Sequence, residues 1–169
     1  NQGVGGFVLP ERAYNTDGNS WTVETRQFSS LSRRSIFETR FAASGAQSET
    51  TPVTSGVRIN VLDTFSSGGA QNHVRNEGRT YDLSNLFTRL GETLSMKAGF
   101  GYIFRKNDSF SEGNFDGTFT FSSLAAYNAG RALNYRVTRG DKLVQTGQRE
   151  LTFYLQNDIR ISRRFTWKI

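Results

Sequence analysis

There is no cysteine in this chain, which excludes a disulfide framework, a thiolate metal site and a cysteine nucleophile. Histidine is almost as scarce. His73 is the single example, with no nucleophile or second metal ligand near it in sequence, so a solvated loop histidine is the simpler reading. Long apolar runs are missing as well: no stretch approaches the ~18 residues a transmembrane helix needs. The opening Asn1-Gln2-Gly3-Val4-Gly5-Gly6 lacks the basic start and apolar run of a signal peptide. The first residue is not Met and the last few read as a strand just begun, so the chain is expected to be a segment cut from a longer one. Net charge is +6, but Lys and Arg are scattered from Arg12 to Lys168 with no more than two in a row. A nucleic-acid partner, which selects clustered basic residues, is not expected.

What the chain does have is aromatic residues and glycine. Only 36% of the 169 residues are hydrophobic, yet 14 are Phe, 6 Tyr and 2 Trp, beside 17 Gly and 2 Pro, and mean hydropathy is −0.53. Disordered segments are poor in aromatics, so the composition points to many half-exposed strands.

Period-two alternation recurs along the chain. A run over 20–28 sets Trp21, Val23, Thr25 and Gln27 against Thr22, Glu24 and Arg26. After the polar link 29–34, a second run sets Phe37, Thr39, Phe41 and Ala43 against Glu38, Arg40 and Ser44. A third covers 80–90. Gly91-Glu92 makes a tight turn into the clearest run, with Leu94, Met96, Ala98, Phe100, Tyr102 and Phe104 on one face and Ser95, Lys97, Gly99, Gly101 and Arg105 on the other. A fifth, over 148–161, sets Leu151, Phe153, Leu155, Ile159 and Ile161 against Glu150, Thr152, Gln156, Asp158 and Arg160. A sixth opens at Phe165 with Trp167 and Ile169 on its face. Leu31-Ser32-Arg33-Arg34 is echoed by Ile161-Ser162-Arg163-Arg164.

The connections run short, long, short, long, short. The long ones, about 45–79 and 106–147, hold an apolar run at 57–62, a Gly-rich turn at Ser66-Ser67-Gly68-Gly69, a short strand at 118–121, and one short helix capped by Ser122 or Ser123 and ended by Gly130. A meander with this rule keeps its short turns at one end and its long loops at the other, as transmembrane barrels do. The expected fold is therefore all-β, an antiparallel up-and-down meander forming part of a transmembrane β-barrel, with residues 1–169 as one partial barrel segment of about six spanning strands. Lumen-facing residues would be Glu38, Arg40, Lys97, Arg105, Glu150, Asp158 and Arg160. Phe37, Phe41, Met96, Phe100, Phe104, Leu151, Phe153 and Leu155 would meet lipid. A soluble sandwich fits less well, because its strands average about 5 to 6 residues and a charged inner face is costly to bury.

Among chemistry-bearing residues, Asp108, Glu112 and Asp116 do not match a Ca²⁺-loop spacing and read as ordinary loop acids. Phe110, Phe115, Phe119 and Tyr127 are weak candidates for contacting a ligand, although packing of the loop on itself explains them more simply. No catalytic residue, metal site or cofactor is expected, and the segment reads as not being an enzyme.

Several strings resemble the barrel portion of TonB-dependent receptors, particularly the Oar-like group: Asn1 to Phe7, Ile59 to Phe65 with Gly68-Gly69-Ala70-Gln71, and Asn114-Phe115-Asp116-Gly117-Thr118-Phe119-Thr120-Phe121-Ser122-Ser123-Leu124. Glu150-Leu151 through Tyr154-Leu155-Gln156-Asn157-Asp158 to Phe165-Thr166-Trp167 resembles a strand pair common there, in which the position of Asn157 is often Asp and that of Ile159 often Trp. The resemblance implies a bacterial outer-membrane receptor taking up a bulky solute. It also implies a plug and a contact with the TonB complex, both in parts of the full chain outside this sequence, and outer-membrane lipid as a partner. The rival reading is a soluble or surface-exposed β-rich adhesion or carbohydrate-binding module.

Overall fold

In a computed structural model that describes residues 2–169, ten strands and two short helical turns follow one another. After a 3₁₀ turn at Pro10–Arg12 come β1 (Tyr14–Ser32), β2 (Ser35–Pro52), β3 (Arg58–Val61), β4 (Phe65–Gly68), β5 (Val74–Arg89), β6 (Leu94–Ser111), β7 (Thr118–Phe121), the helix α1 (Leu124–Asn128), β8 (Asn134–Arg136), β9 (Leu143–Ser162) and β10 (Phe165–Lys168). Two sheets result. The long strands form a six-stranded meander in the order β1-β2-β5-β6-β9-β10, whose edges stay open, and the short ones a four-stranded sheet in the order β4-β3-β7-β8.

The strands are longer than their alternation predicts. β1, β2, β5, β6 and β9 hold 19, 18, 16, 18 and 20 residues, whereas a bilayer needs about 9–11. Polar stretches read as loop are strand: 45–52, 74–79, 106–111 and 143–147 all continue the ladders. The expected loops 45–79 and 106–147 are therefore shorter at both ends, because pairing with a neighbouring strand, and not apolar alternation, holds those residues extended. The link expected over 29–34 shrinks likewise to Arg33-Arg34.

The chain divides into two compact units. One comprises Ser20–Gly45, Gly78–Asn107 and Thr146–Ile169. Its hairpin turns are alike: the Ser32 hydroxyl accepts from the Arg34 N–H at 3.2 Å and the Ser162 hydroxyl from the Arg164 N–H at 3.3 Å, each a side chain closing its own turn. The sequence echo is thus a repeated turn. β9 and β10 pair with Trp167 opposite Ile159 and Lys168 opposite Asp158. Two glycines make room for rings. Trp21 lies over Gly45, and Tyr154 lies so closely over Gly99 that a Cβ there would overlap its ring.

The other unit comprises the described part of Asn1–Asn19, Ala46–Glu77 and Asp108–Gln145. Here β3 pairs antiparallel with β4 (Val61 opposite Phe65) and parallel with β7 (Arg58 opposite Thr118, Val61 opposite Phe121). The two long connections thereby zip into one small sheet. The expected Gly-rich turn at Ser66-Ser67-Gly68-Gly69 is instead mostly β4. The turn falls earlier, around Asp63, which takes a positive φ of 56° as Asp tolerates. The short helix forms as expected, with the Ser123 hydroxyl accepting from the Ala126 N–H and Gly130 at φ 66° after it.

Burial is sparse. Among the described residues the buried apolar side chains are Ala13, Ala43, Val61, Ala70 and Phe121, and no large side chain is fully buried. All of these but Ala43 lie in the small-sheet unit. A soluble domain of this length would bury about 70% of its surface around a core, whereas here Phe153 is 68% exposed and Leu155 61%.

Replacing Gly99 by Val forces the Tyr154 ring off β6. The expected cost is about 1–3 kcal/mol, typical of overpacking, read as an earlier urea midpoint of the bilayer-folded protein. The double substitution Gly99→Val with Tyr154→Ala recovers most of it. An unchanged midpoint for the single variant contradicts the close packing.

Candidate functional site

Alternation leaves each long strand with two faces, and the contacts between strands show which residues share them. On one face Trp21 covers Gly45, the rings of Tyr81 and Phe104 stack at 6.3 Å, and those of Phe100 and Phe153 meet at 5.3 Å. Arg149 lies over Phe104 at 5.8 Å. Phe37, Phe41, Met96, Leu151 and Leu155 alternate in step with these residues along β2, β6 and β9.

The opposite face is charged. Arg40 on β2 reaches Glu24 of β1 at 3.1 Å and Asp82 of β5 at 3.3 Å, and Glu24 also holds Arg26 at 2.8 Å. Arg105 on β6 pairs with Glu150 on β9 at 3.3 Å. An open cleft of about 340 Å³ on this face is lined by Glu38, Arg40, Ser84, Gly101, Thr152 and Tyr154. Lys97, Asp158 and Arg160 alternate in step with it. Glu24 belongs to a polar face legible in the sequence, but neither it nor Asp82 stands out there. Only the register between strands shows that both face Arg40.

Along β6 the aromatic face spans 11 residues from Leu94 to Phe104, then turns polar at Lys106 and Asp108. At ~3.4 Å per residue and a tilt of ~40° this is roughly 26 Å of height, against the ~25 Å apolar band of an outer-membrane barrel. The same change occurs on β5 between Tyr81 and Arg79, and on β9 between Leu151 and Arg149.

In the small-sheet unit the aromatic candidates go to different partners. Phe119 lies tilted against Tyr135 at 4.5 Å and Phe121 at 6.4 Å, and Tyr127 meets Phe121 and Phe65 edge-on at 5.2 and 5.4 Å, so these two pack into one cluster. Phe110 instead touches His73, and Phe115 lies under Lys142. The acids separate as well: Asp108 accepts from Gln145, Asp116 from the Gly56 N–H, and Glu112 from Lys142 and His73. Among the described residues no group of three or more His, Asp or Glu side chains is arranged to hold a metal.

His73 is not the solvated loop histidine expected. It is part-buried, with Nδ1 2.8 Å from Glu112 and Nε2 3.3 Å from Glu49, while Lys142 holds the other Glu112 oxygen at 2.8 Å. These partners lie 24, 39 and 69 residues away in sequence, so nothing local announces them. The hydrogen bond to Glu112 is the largest influence and, helped by Glu49, raises the imidazole pKa against the opposing effect of burial. Lys142 and then His73 lower that of Glu112. The guanidiniums of Arg12 and Arg58 are shifted down by burial, Arg12 also by the charge of Arg58. Arg12 donates to Asn60 at 3.4 Å and Arg58 to the Ala70 carbonyl.

One sheet with an aromatic face exposed over a bilayer's height and a charged face backing it defines a class: the transmembrane β-barrels, here represented by a meander whose sheet is not closed. No described helix is long and apolar enough to cross a membrane; crossing belongs to the strands. In agreement, a family model described as an outer membrane beta barrel domain matches residues 13–169. The chain belongs to that family, and its place is the bacterial outer membrane as part of a barrel wall. No curated protein and no solved structure matches it.

The raised His73 pKa gives the ion cluster a pH signature. Its contribution is complete below the unfolded imidazole value of about 6.5 and is lost as pH rises through the higher folded value. The part carried by Glu112, whose pKa is depressed, is lost instead as pH falls below the usual carboxylate range. Intrinsic hydrogen-exchange protection of the amides at 111–115 should therefore drop on the alkaline side, and His73→Gln should flatten that limb. An unaltered alkaline limb in the variant would show the cluster to be idle.

Proposed function

We propose that this segment is part of the wall of a TonB-dependent receptor of the Oar-like group, through which a bulky solute enters the cell envelope. In this reading Glu38, Arg40, Lys97, Arg105, Glu150, Asp158 and Arg160 line the lumen. Phe37, Phe41, Met96, Phe100, Phe104, Leu151, Phe153 and Leu155 meet lipid. The small sheet built from both long connections faces the outside and takes part in capturing the solute. The segment performs no covalent chemistry: it supplies wall and loops, while the TonB complex engages parts of the full chain outside this sequence.

The observation that carries the reading is the ladder of ions across β1, β2 and β5 and again across β6 and β9. A charged wall requires a wet interior, and a sheet of six strands is too short an arc to enclose one. Wide barrels, including the 22-stranded plugged transporters, have such interiors. The strings shared with the Oar-like group support the same conclusion, as does the length of the strands beyond what a bilayer requires.

Spin labels at alternate positions of β6 in the full-length protein in bilayers test the wall. Labels at Met96 and Phe100 should relax with oxygen and labels at Lys97 and Gly101 with a water-soluble agent; aqueous contact on both faces would rule out the lipid-facing assignment. Coupling is tested separately by surface plasmon resonance with the purified periplasmic domain of TonB. Saturable binding is expected, and its absence discards the TonB-dependent part while leaving the barrel intact.

A further inference from the structure

The end of the sheet that carries the short turns holds a feature that neither the wall nor the loops require. β1 and β2 join through Arg33-Arg34, and the Ser32 hydroxyl closes that turn from below, so both arginines project from its tip. The Leu90 N–H donates to the Arg34 carbonyl at 2.8 Å, and the Arg34 guanidinium pairs with Glu92 at 2.8 Å. These two bonds hold the first turn beside the one joining β5 to β6. Arg89 ends β5, and Leu94 and Met96 begin the aromatic face of β6. Between them lies an open cleft of about 830 Å³, lined by Arg33, Arg34, Arg89, Leu90, Leu94 and Met96.

The lining has two chemistries. Three arginines line it, Arg34 paired with Glu92, and Leu90, Leu94 and Met96 line it as well. In outer-membrane barrels the short turns are periplasmic, which puts this cleft where the inner leaflet changes from headgroup to hydrocarbon. A free anion would answer the arginines and leave the apolar lining wet; an acyl chain alone would answer the apolar lining and leave the excess of positive charge uncompensated. Guanidinium forks match phosphate oxygens in a bidentate fashion, and apolar side chains beside them suit a chain descending from that phosphate.

We infer that the cleft between the first and second short turns binds an inner-leaflet phospholipid, its phosphate held by Arg33, Arg34 and Arg89 and an acyl chain laid along Leu94 and Met96. The lipid sits astride two hairpins and braces them. This inference needs the barrel and its orientation but not TonB coupling or solute uptake, so it stands or falls independently of the transport reading.

The test is native mass spectrometry of the full-length protein in detergent, titrated with dioleoyl phosphatidylglycerol, with and without millimolar inorganic phosphate. The wild-type protein should retain a bound lipid that inorganic phosphate does not displace. The combined variant R33S/R34S/R89S should bind on the order of tenfold more weakly, as loss of charge-assisted contacts implies, while R33K/R34K/R89K, which keeps the charge and loses the fork, should fall between it and wild type. R163S/R164S, at the matching turn outside the cleft, should bind normally. Displacement by inorganic phosphate would reassign the site to a free anion and overturn the lipid. Undiminished binding in the serine variant, or equal loss in R163S/R164S, would overturn the site. Heat-shift gel mobility reports whether each variant is folded; should the triple fail to fold, R89Q alone carries the test, with a weaker loss expected and an unchanged affinity overturning the assignment.

Discussion

A backbone amide in hydrocarbon has no water to bond with, so every N–H and C=O that crosses a membrane must find its partner in the protein. A sheet meets that demand only between strands, and the rest of this structure depends on it. The long strands pair side by side in sequence order, because each needs a neighbour along its full crossing. The same demand explains why the sheet of long strands does with so little of a core. Phe153 and Leu155 stay exposed, and under the lipid-facing assignment proposed above the usual pressure to bury them disappears.

The second consequence is that one sheet must suit two solvents. Alternation sends successive side chains to opposite faces, so Phe100 and Phe104 share a strand with Lys97 and Arg105 without conflict. On the charged face Arg40 joins three strands by reaching both Glu24 and Asp82. These pairs are partly exposed, and such pairs are individually weak in water. Their contribution is to fix register: a one-residue slip would carry Arg40 to the aromatic face. Tyr154 over Gly99 and Trp21 over Gly45 act in the same way by shape.

The connections follow a different rule. In the small-sheet unit most of the buried side chains are small, and Tyr127 packs edge-on and Phe119 tilted against Phe121. His73 draws Glu49 and Glu112 together while Lys142 closes the cluster. Segments called loops by composition thus form an ordered sheet of their own, held by ordinary core and ion-pair chemistry.

The sequence by itself determined the long strands, their alternation and the class of fold, because period two is a local property. Alternation at Leu94 to Phe104 and at Glu150 to Ile161 needed no partner to be read. The short helix was equally legible, since the Ser122-Ser123 pair and Gly130 carry capping chemistry in place, and the structure uses Ser123. Strand ends were not: 45–52 and 143–147 are polar and become strand only by pairing. Nor were the parallel pairing of β3 with β7, the trio around Arg40, the setting of His73 or the cleft at Arg34 and Arg89. Each joins residues tens of positions apart, and the free energy that selects such partners belongs to register and packing, which no window of sequence contains.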